Sequence, residues 1–220
     1  MADLILHELT PSPNNVKVRV ALGYKGLDYT RKPLTFTSYP GDRSGIVELS
    51  RQPRLPVLQH GDVKLFDSGA ILRYLEANFP QTKPIFVTDH TQFSEIETWE
   101  FYSKAKIGPA LGMLFGQAFA PEVDPAVIER GNALLHENTA ELEAALATKP
   151  WLVGDHLTAA DIVVASPFYL AQLEEQHLAL SPLVGFFKQH LRLEGRPHVH
   201  AWARKVLAYD AVLAQPAGVA

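Results

Sequence analysis

Residues 53–75, Pro-Arg-Leu-Pro-Val-Leu-Gln-His-Gly-Asp-Val-Lys-Leu-Phe-Asp-Ser-Gly-Ala-Ile-Leu-Arg-Tyr-Leu, constrain the fold most, because the hydrophobic period changes inside them. Residues 57–59 and 63–66 are short apolar runs of β-formers split by His60-Gly61-Asp62, the pattern of a hairpin. Beyond them Ala70, Ile71, Tyr74, Leu75 and Phe79 fall on one face at helical spacing. Asp67 or Ser68 is placed to cap that helix. A strand therefore hands over to a helix at Asp67-Ser68.

Such a corner has a chemical property. The unpaired N–H groups of a first helical turn, at the positive end of the dipole, attract a carboxylate, and an acidic side chain beside them holds an ammonium. Asp67-Ser68 thus suits the amino-acid end of a zwitterion. Leu55-Pro56 offers a second handle, since a cis proline here would turn the Leu55 backbone outward to pair with an extended peptide. A small acidic peptide matches both. The plainer reading, in which Asp67-Ser68 is an N-cap and nothing more, stands beside this one.

At these residues the chain resembles the cytosolic glutathione transferases. The resemblance implies that Leu55-Pro56 pairs with the cysteinyl backbone of glutathione and that Asp67-Ser68 holds its γ-glutamyl end. Asp67 is shorter than the Glu or Gln more common in that family. Arg54 matches a position that lies near the glycine carboxylate in many members; read alone, it is equally a solvated surface arginine.

Upstream, Leu4-Ile5-Leu6 with Leu9 reads as a strand buried on both faces. Ser12 before Pro13 reads as N-cap and N1 of a helix continuing to Gly26, followed by a strand over 29–34. Strand, helix and strand make a right-handed βαβ unit, and the 57–66 hairpin completes a four-stranded mixed sheet. A short helix is expected near residues 46–49. Pro80 to Pro84 interrupt the helical pattern, which divides the chain into 1–80, a linker over 81–90, and an all-helical 91–220. The expected fold is therefore an α/β thioredoxin-like N-terminal domain followed by an all-α C-terminal domain, the glutathione transferase fold.

In the second part, residues 91–120 keep helical spacing, and Gly108, Gly112 and Gly116 recur every four residues as if a neighbouring helix approached there. The apolar run 107–120 is too short to span a bilayer. Residues 125–147 read as one long helix with Leu135, Leu142 and Leu146 inward. Thr158-x-x-Asp161 is a capping box opening an apolar helix. It also resembles the motif marking the buried helix of the family's C-terminal domain, so the resemblance spans nearly the whole chain.

Composition narrows the chemistry. The 220 residues contain no cysteine, which excludes disulfides and any protein thiolate, and with it the family's cysteine-based mechanisms. Residues 1–80 carry ten Lys/Arg against eight Asp/Glu, in a chain of net charge −4. That excess suits a small anion and gives no basis for nucleic-acid binding. No charged-then-apolar leader is seen at the start, so a cytoplasmic setting is the expectation, and no metal motif or phosphate loop stands out.

The resemblance assigns the sulfur to glutathione and leaves the protein to make it a thiolate. Ser12, at the expected helix N-terminus, resembles the residue of serine-type tau- and theta-like members, whereas related bacterial and fungal members make Asn14 and Thr10 rivals. The electrophile is expected to be apolar and to lie between the domains, against Ile107, Leu111 and Phe115 on one helical face, and Phe36. The resemblance further implies a homodimer and a detoxifying transfer to an electrophile or peroxide. Reduction or isomerisation on the same site, and a non-catalytic module like those of elongation-factor gamma subunits, are the alternatives.

Overall fold

The computed structural model describes residues 3–9, 12–34 and 42–214. Strands β1 (Leu4–Leu9), β2 (Tyr29–Leu34), β3 (Val57–His60) and β4 (Val63–Phe66) form one sheet of order β2-β1-β3-β4. β1 runs parallel to β2 and antiparallel to β3, and β3 pairs with β4 as a hairpin. Between β1 and β2 lies helix α1 (Pro13–Lys25), ended by Gly26 in the left-handed region at φ 66°, a conformation that costs glycine least. Helices α2 (Ser44–Ser50) and α3 (Ser68–Asn78) complete this thioredoxin-like layer.

Two expectations for this layer need correction. β1 is not buried on both faces: Leu4, Leu6 and Glu8 are buried, while alternate residues are half-buried, because only one face of the strand meets α1. On α3, Ala70 is exposed and Leu72 is buried in its place. The helix begins at Ser68, so the inward face falls on Ser68, Ile71, Leu72 and Leu75.

The helical domain holds α4 (His90–Tyr102), α5 (Gly108–Ala118), α6 (Pro125–Asn138), α7 (Ala140–Leu146), α8 (Ala159–Ala165), α9 (Pro182–His190), α10 (Pro197–Leu207) and α11 (Ala211–Ala214). A π-helical turn, Ser103–Ile107, joins α4 to α5. The expected single helix over 125–147 is two, divided at Thr139, whose hydroxyl bonds back to the Leu135 and His136 carbonyls. Gly112 and Gly116 face open space. The close approach is made instead by Gly131 of α6, where a Cβ would overlap Leu114 of α5 and crowd the Ala110 carbonyl.

α8 lies at the centre of the helical domain, and every residue in it is buried. Its Asp161 accepts from the N–H groups of Leu152 and Thr158 and from the Trp202 indole, each at 2.9 Å. One carboxylate thus fixes the start of α8, the preceding loop and α10. α1 packs against α3 on one side and α8 on the other, so it belongs to both domains' interiors. Among the described residues no helix is long and apolar enough to cross a membrane.

Candidate active site

The N-terminus of α1 opens on a cavity of about 600 Å³ between the domains. Leu55 and Pro56, joined by a cis peptide bond, line it with Arg54, Asp67, Ser68 and Asn14. Six residues expected from the sequence therefore meet in one place. Thr10 and Phe36 lie outside the described residues.

Asp67, not Ser68, is the N-cap of α3. It sits at φ 73° and ψ 117°, a region few residues with a Cβ occupy. Its Oδ1 accepts from the N–H groups of Gly69 and Ala70 at 3.0 and 3.1 Å, which holds that conformation. Oδ2 keeps its lone pairs for a cation. Ser68 is the first helical residue; it is buried, and its hydroxyl makes no hydrogen bond among the described residues. A dipole end and a free hydroxyl thus adjoin a carboxylate oxygen, the combination a zwitterion needs. The Arg54 backbone is pinned by Gln52 through N–H to Oε1 at 2.6 Å, which leaves its exposed guanidinium to solvent or ligand.

At the other wall, Ser12 occupies the N-cap position of α1 without a side-chain capping bond. It does not line the cavity, whereas Asn14 lines it and a second cavity of about 340 Å³. The Lys17 ammonium donates to Asn14 Oδ1 at 3.0 Å. An ammonium can only donate, so this contact fixes the amide with its NH₂ group away from Lys17. A donor pair is thereby held at the N-terminal turn of α1, where an anion would lie.

The second cavity is walled by Pro13, Leu111, Gly112, Phe115 and Pro167. Leu111 and Phe115, two of the residues expected on an apolar wall, both line it. Ile107 does not: it is fully buried in the π turn, whose extra residue rotates it off the face that Leu111 and Phe115 share.

Sequence reasoning missed Lys17, Arg73, Glu100 and Lys104, all of which line the larger cavity. Arg73 of α3 and Glu100 of α4 pair at 2.8 Å, joining the two domains across its floor. Lys17 is half-buried, and burial, then the neighbouring Lys104, lower its pKa to about 8 against the opposing pull of Asp67 and Glu100. Lys17 had one available signal, a position one turn beyond Asn14 on the same helix. The other three come together only in the fold. No group of His, Asp or Glu among the described residues could hold a metal ion.

Comparison with known proteins accords with this geometry. The family models "Glutathione S-transferase, N-terminal domain" and "Glutathione S-transferase, C-terminal domain" match residues 6–83 and 125–205. Glutathione S-transferase 3 of Zea mays is 29% identical over 99% of this chain and 92% of its own length. Elongation factor 1-gamma 1 of Oryza sativa subsp. japonica is 27% identical over 76% of this chain and 40% of its own length. In fold, the chain matches a theta class glutathione S-transferase from Xanthomonas axonopodis pv. citri, solved with glutathione bound. That match has a TM-score of 0.75 at 24% identity and covers 100% of this chain and 99% of that one. With both domain models matched in order, and with the sheet, the helical domain and the cleft between them arranged as described, the chain belongs to the glutathione transferase family.

Proposed function

We propose that the protein is a glutathione transferase in which residues 1–80 hold glutathione, 81–90 link the domains, and 91–220 supply the wall for an apolar electrophile. The observation that carries this reading is the gathering, in one cavity, of a separate partner for each end of the tripeptide. Ser68 and the α3 N-terminus receive the γ-glutamyl carboxylate. Asp67 Oδ2 takes the ammonium, Leu55 pairs with the cysteinyl backbone, and Arg54 meets the glycine carboxylate. The sulfur then falls at the start of α1, between the two cavities.

There the Asn14 amide donates to the thiolate, with the Ser12 hydroxyl as the second donor in reach of that turn. Ser12 leads on sequence; the fixed amide of Asn14, open to both cavities, favours Asn14. A free thiol ionises at a pKa of about 8.5, and one hydrogen bond to its anion contributes about 1.5–3 kcal/mol, or roughly one to two pKa units. The thiolate attacks an electrophilic carbon held against Leu111 and Phe115. The carbon–sulfur bond forms as the leaving group departs with its electron pair. A homodimer in the cytoplasm is the assembly and setting proposed for it.

Calorimetric titration with reduced glutathione tests the binding half of this reading. Wild type is expected to bind, and Ser68→Ala to bind about 10- to 100-fold more weakly, the loss of a hydrogen bond to a charged group. Absence of binding by wild type would overturn it, and would leave a non-catalytic module of the kind found in elongation-factor gamma subunits.

A further inference from the structure

Lys17 and Lys104 line both cavities, and neither forms a salt bridge among the described residues. At the larger cavity Arg73 is tied to Glu100 and Asp67 caps α3, while the Arg54 guanidinium is exposed. The smaller cavity contains the two lysines, Asn14, Ser103 and an otherwise apolar or glycine lining, with no carboxylate at all. Two ammonium groups therefore flank a largely apolar pocket whose own lining has no carboxylate. Burial, and then the neighbouring Lys104, lower the Lys17 pKa, and the carboxylates that counter this, Asp67 and Glu100, belong to the lining of the larger cavity.

Resting on the glutathione transferase reading, we infer that the second cavity selects electrophiles with an apolar body and an anionic group, such as an aromatic carboxylate, which Lys17 and Lys104 neutralise beside the sulfur. An apolar body fits Leu111, Phe115, Pro13 and Pro167, and the open face of Gly112 leaves it room. A carboxylate arriving there relieves the repulsion between the lysines and is desolvated against partners already in place. The thiolate is itself an anion, so the lysines could serve it alone. In that case they would raise the reactivity of bound glutathione toward every electrophile alike. Selection predicts a difference between electrophiles, and that difference is measurable.

The test compares two substrates with one reaction, a neutral chlorodinitrobenzene and its ring-carboxylate analogue, chlorodinitrobenzoate. In both, the thiolate displaces chloride. Each kcat/KM is divided by the rate constant of the uncatalysed reaction with glutathione. Wild type is expected to favour the carboxylate by about tenfold, as one screened ion pair in a half-buried site gives. Lys104→Gln should reduce that ratio to about threefold and Lys104→Glu should bring it below one. Lys104 is exposed, so both variants are expected to fold, with circular dichroism as the check.

The two readings fail differently. If wild type binds glutathione and turns over both substrates with equal normalised rates, or if Lys104→Gln and Lys104→Glu leave the ratio unmoved, the selection is wrong and the transferase stands. If wild type neither binds glutathione nor turns over either substrate, both fall together.

Discussion

One turn of α1 separates Asn14 from Lys17, and the hydrogen bond between them joins the proposed thiolate donor to a cation that the fold holds at a disadvantage. Folding lowers the Lys17 pKa from 10.5 to about 8, so the unfolded chain binds the proton more tightly. The cost is present in full below about pH 8 and fades as pH rises through 10.5, above which neither state holds the charge. Lys17→Met, which keeps the apolar stem, should therefore raise stability at pH 7 by roughly 1–2 kcal/mol, discounted for solvent screening of a half-buried group. Urea midpoints of the two proteins should converge above pH 10.5. An equal gap at both pH values would show that the charge carries no such cost. Asp67 was legible at this scale because a strand-to-helix corner is written in adjacent residues. Lys17 was not, since nothing in a surface-spaced lysine tells which cavity it faces.

At the scale of elements, α1 carries the site at one end and the join between domains at the other. Gly23 lies against the turn before α11, where a Cβ would overlap the Tyr209 carbonyl oxygen, and Tyr24 meets Tyr209 edge to face at 5.1 Å. Gly23→Ala must push the C-terminal segment off α1. We expect a loss of about 1–3 kcal/mol, typical of overpacking a close contact, read from thermal unfolding. An unchanged midpoint would mean that the turn yields without cost. The hairpin, α1 and the Thr158-x-x-Asp161 box could be read in advance because each is specified by near neighbours. The glycine repeat misled for the opposite reason. Four-residue spacing marks where a helix could be approached, but the Leu114 and Ala110 rows of α5 seat onto Gly131 of α6, a partner distant in sequence. The break at Thr139 and the π turn at 103–107 are likewise products of packing, and the π turn is why Ile107 leaves the pocket.

For the molecule as a whole, the two domains are held by charges with no exposure to water. Arg19 of α1 bonds Glu8 of β1 at 2.6 Å and Asp210, ahead of α11, at 2.8 Å, and all three are buried. Burial alone would lower the Arg19 pKa, but Asp210 and Glu8 outweigh it and raise it. Such a network contributes orientation more than net stability. It fixes how α1 sits against the helical domain, and with it where Asn14 meets Leu111 and Phe115. The presence of a sheet domain and a helical domain was legible because Pro80 to Pro84 interrupt the helical pattern and only helical spacing follows. The cleft they form was legible only on the sheet side, because its floor, Arg73 with Glu100, is made by one residue from each domain.

A glutathione thiolate held at the start of α1 is the core of the proposed mechanism, and the pKa of bound glutathione is the quantity to measure. Thiolate absorbance of the enzyme–glutathione complex would be followed against pH for wild type, Asn14→Ala and Ser12→Ala. Wild type should ionise roughly one to two units below the free thiol, and Asn14→Ala should return most of that shift. A shift lost only in Ser12→Ala would move the donor to the serine. Bound glutathione that ionises like the free thiol in wild type would contradict the account.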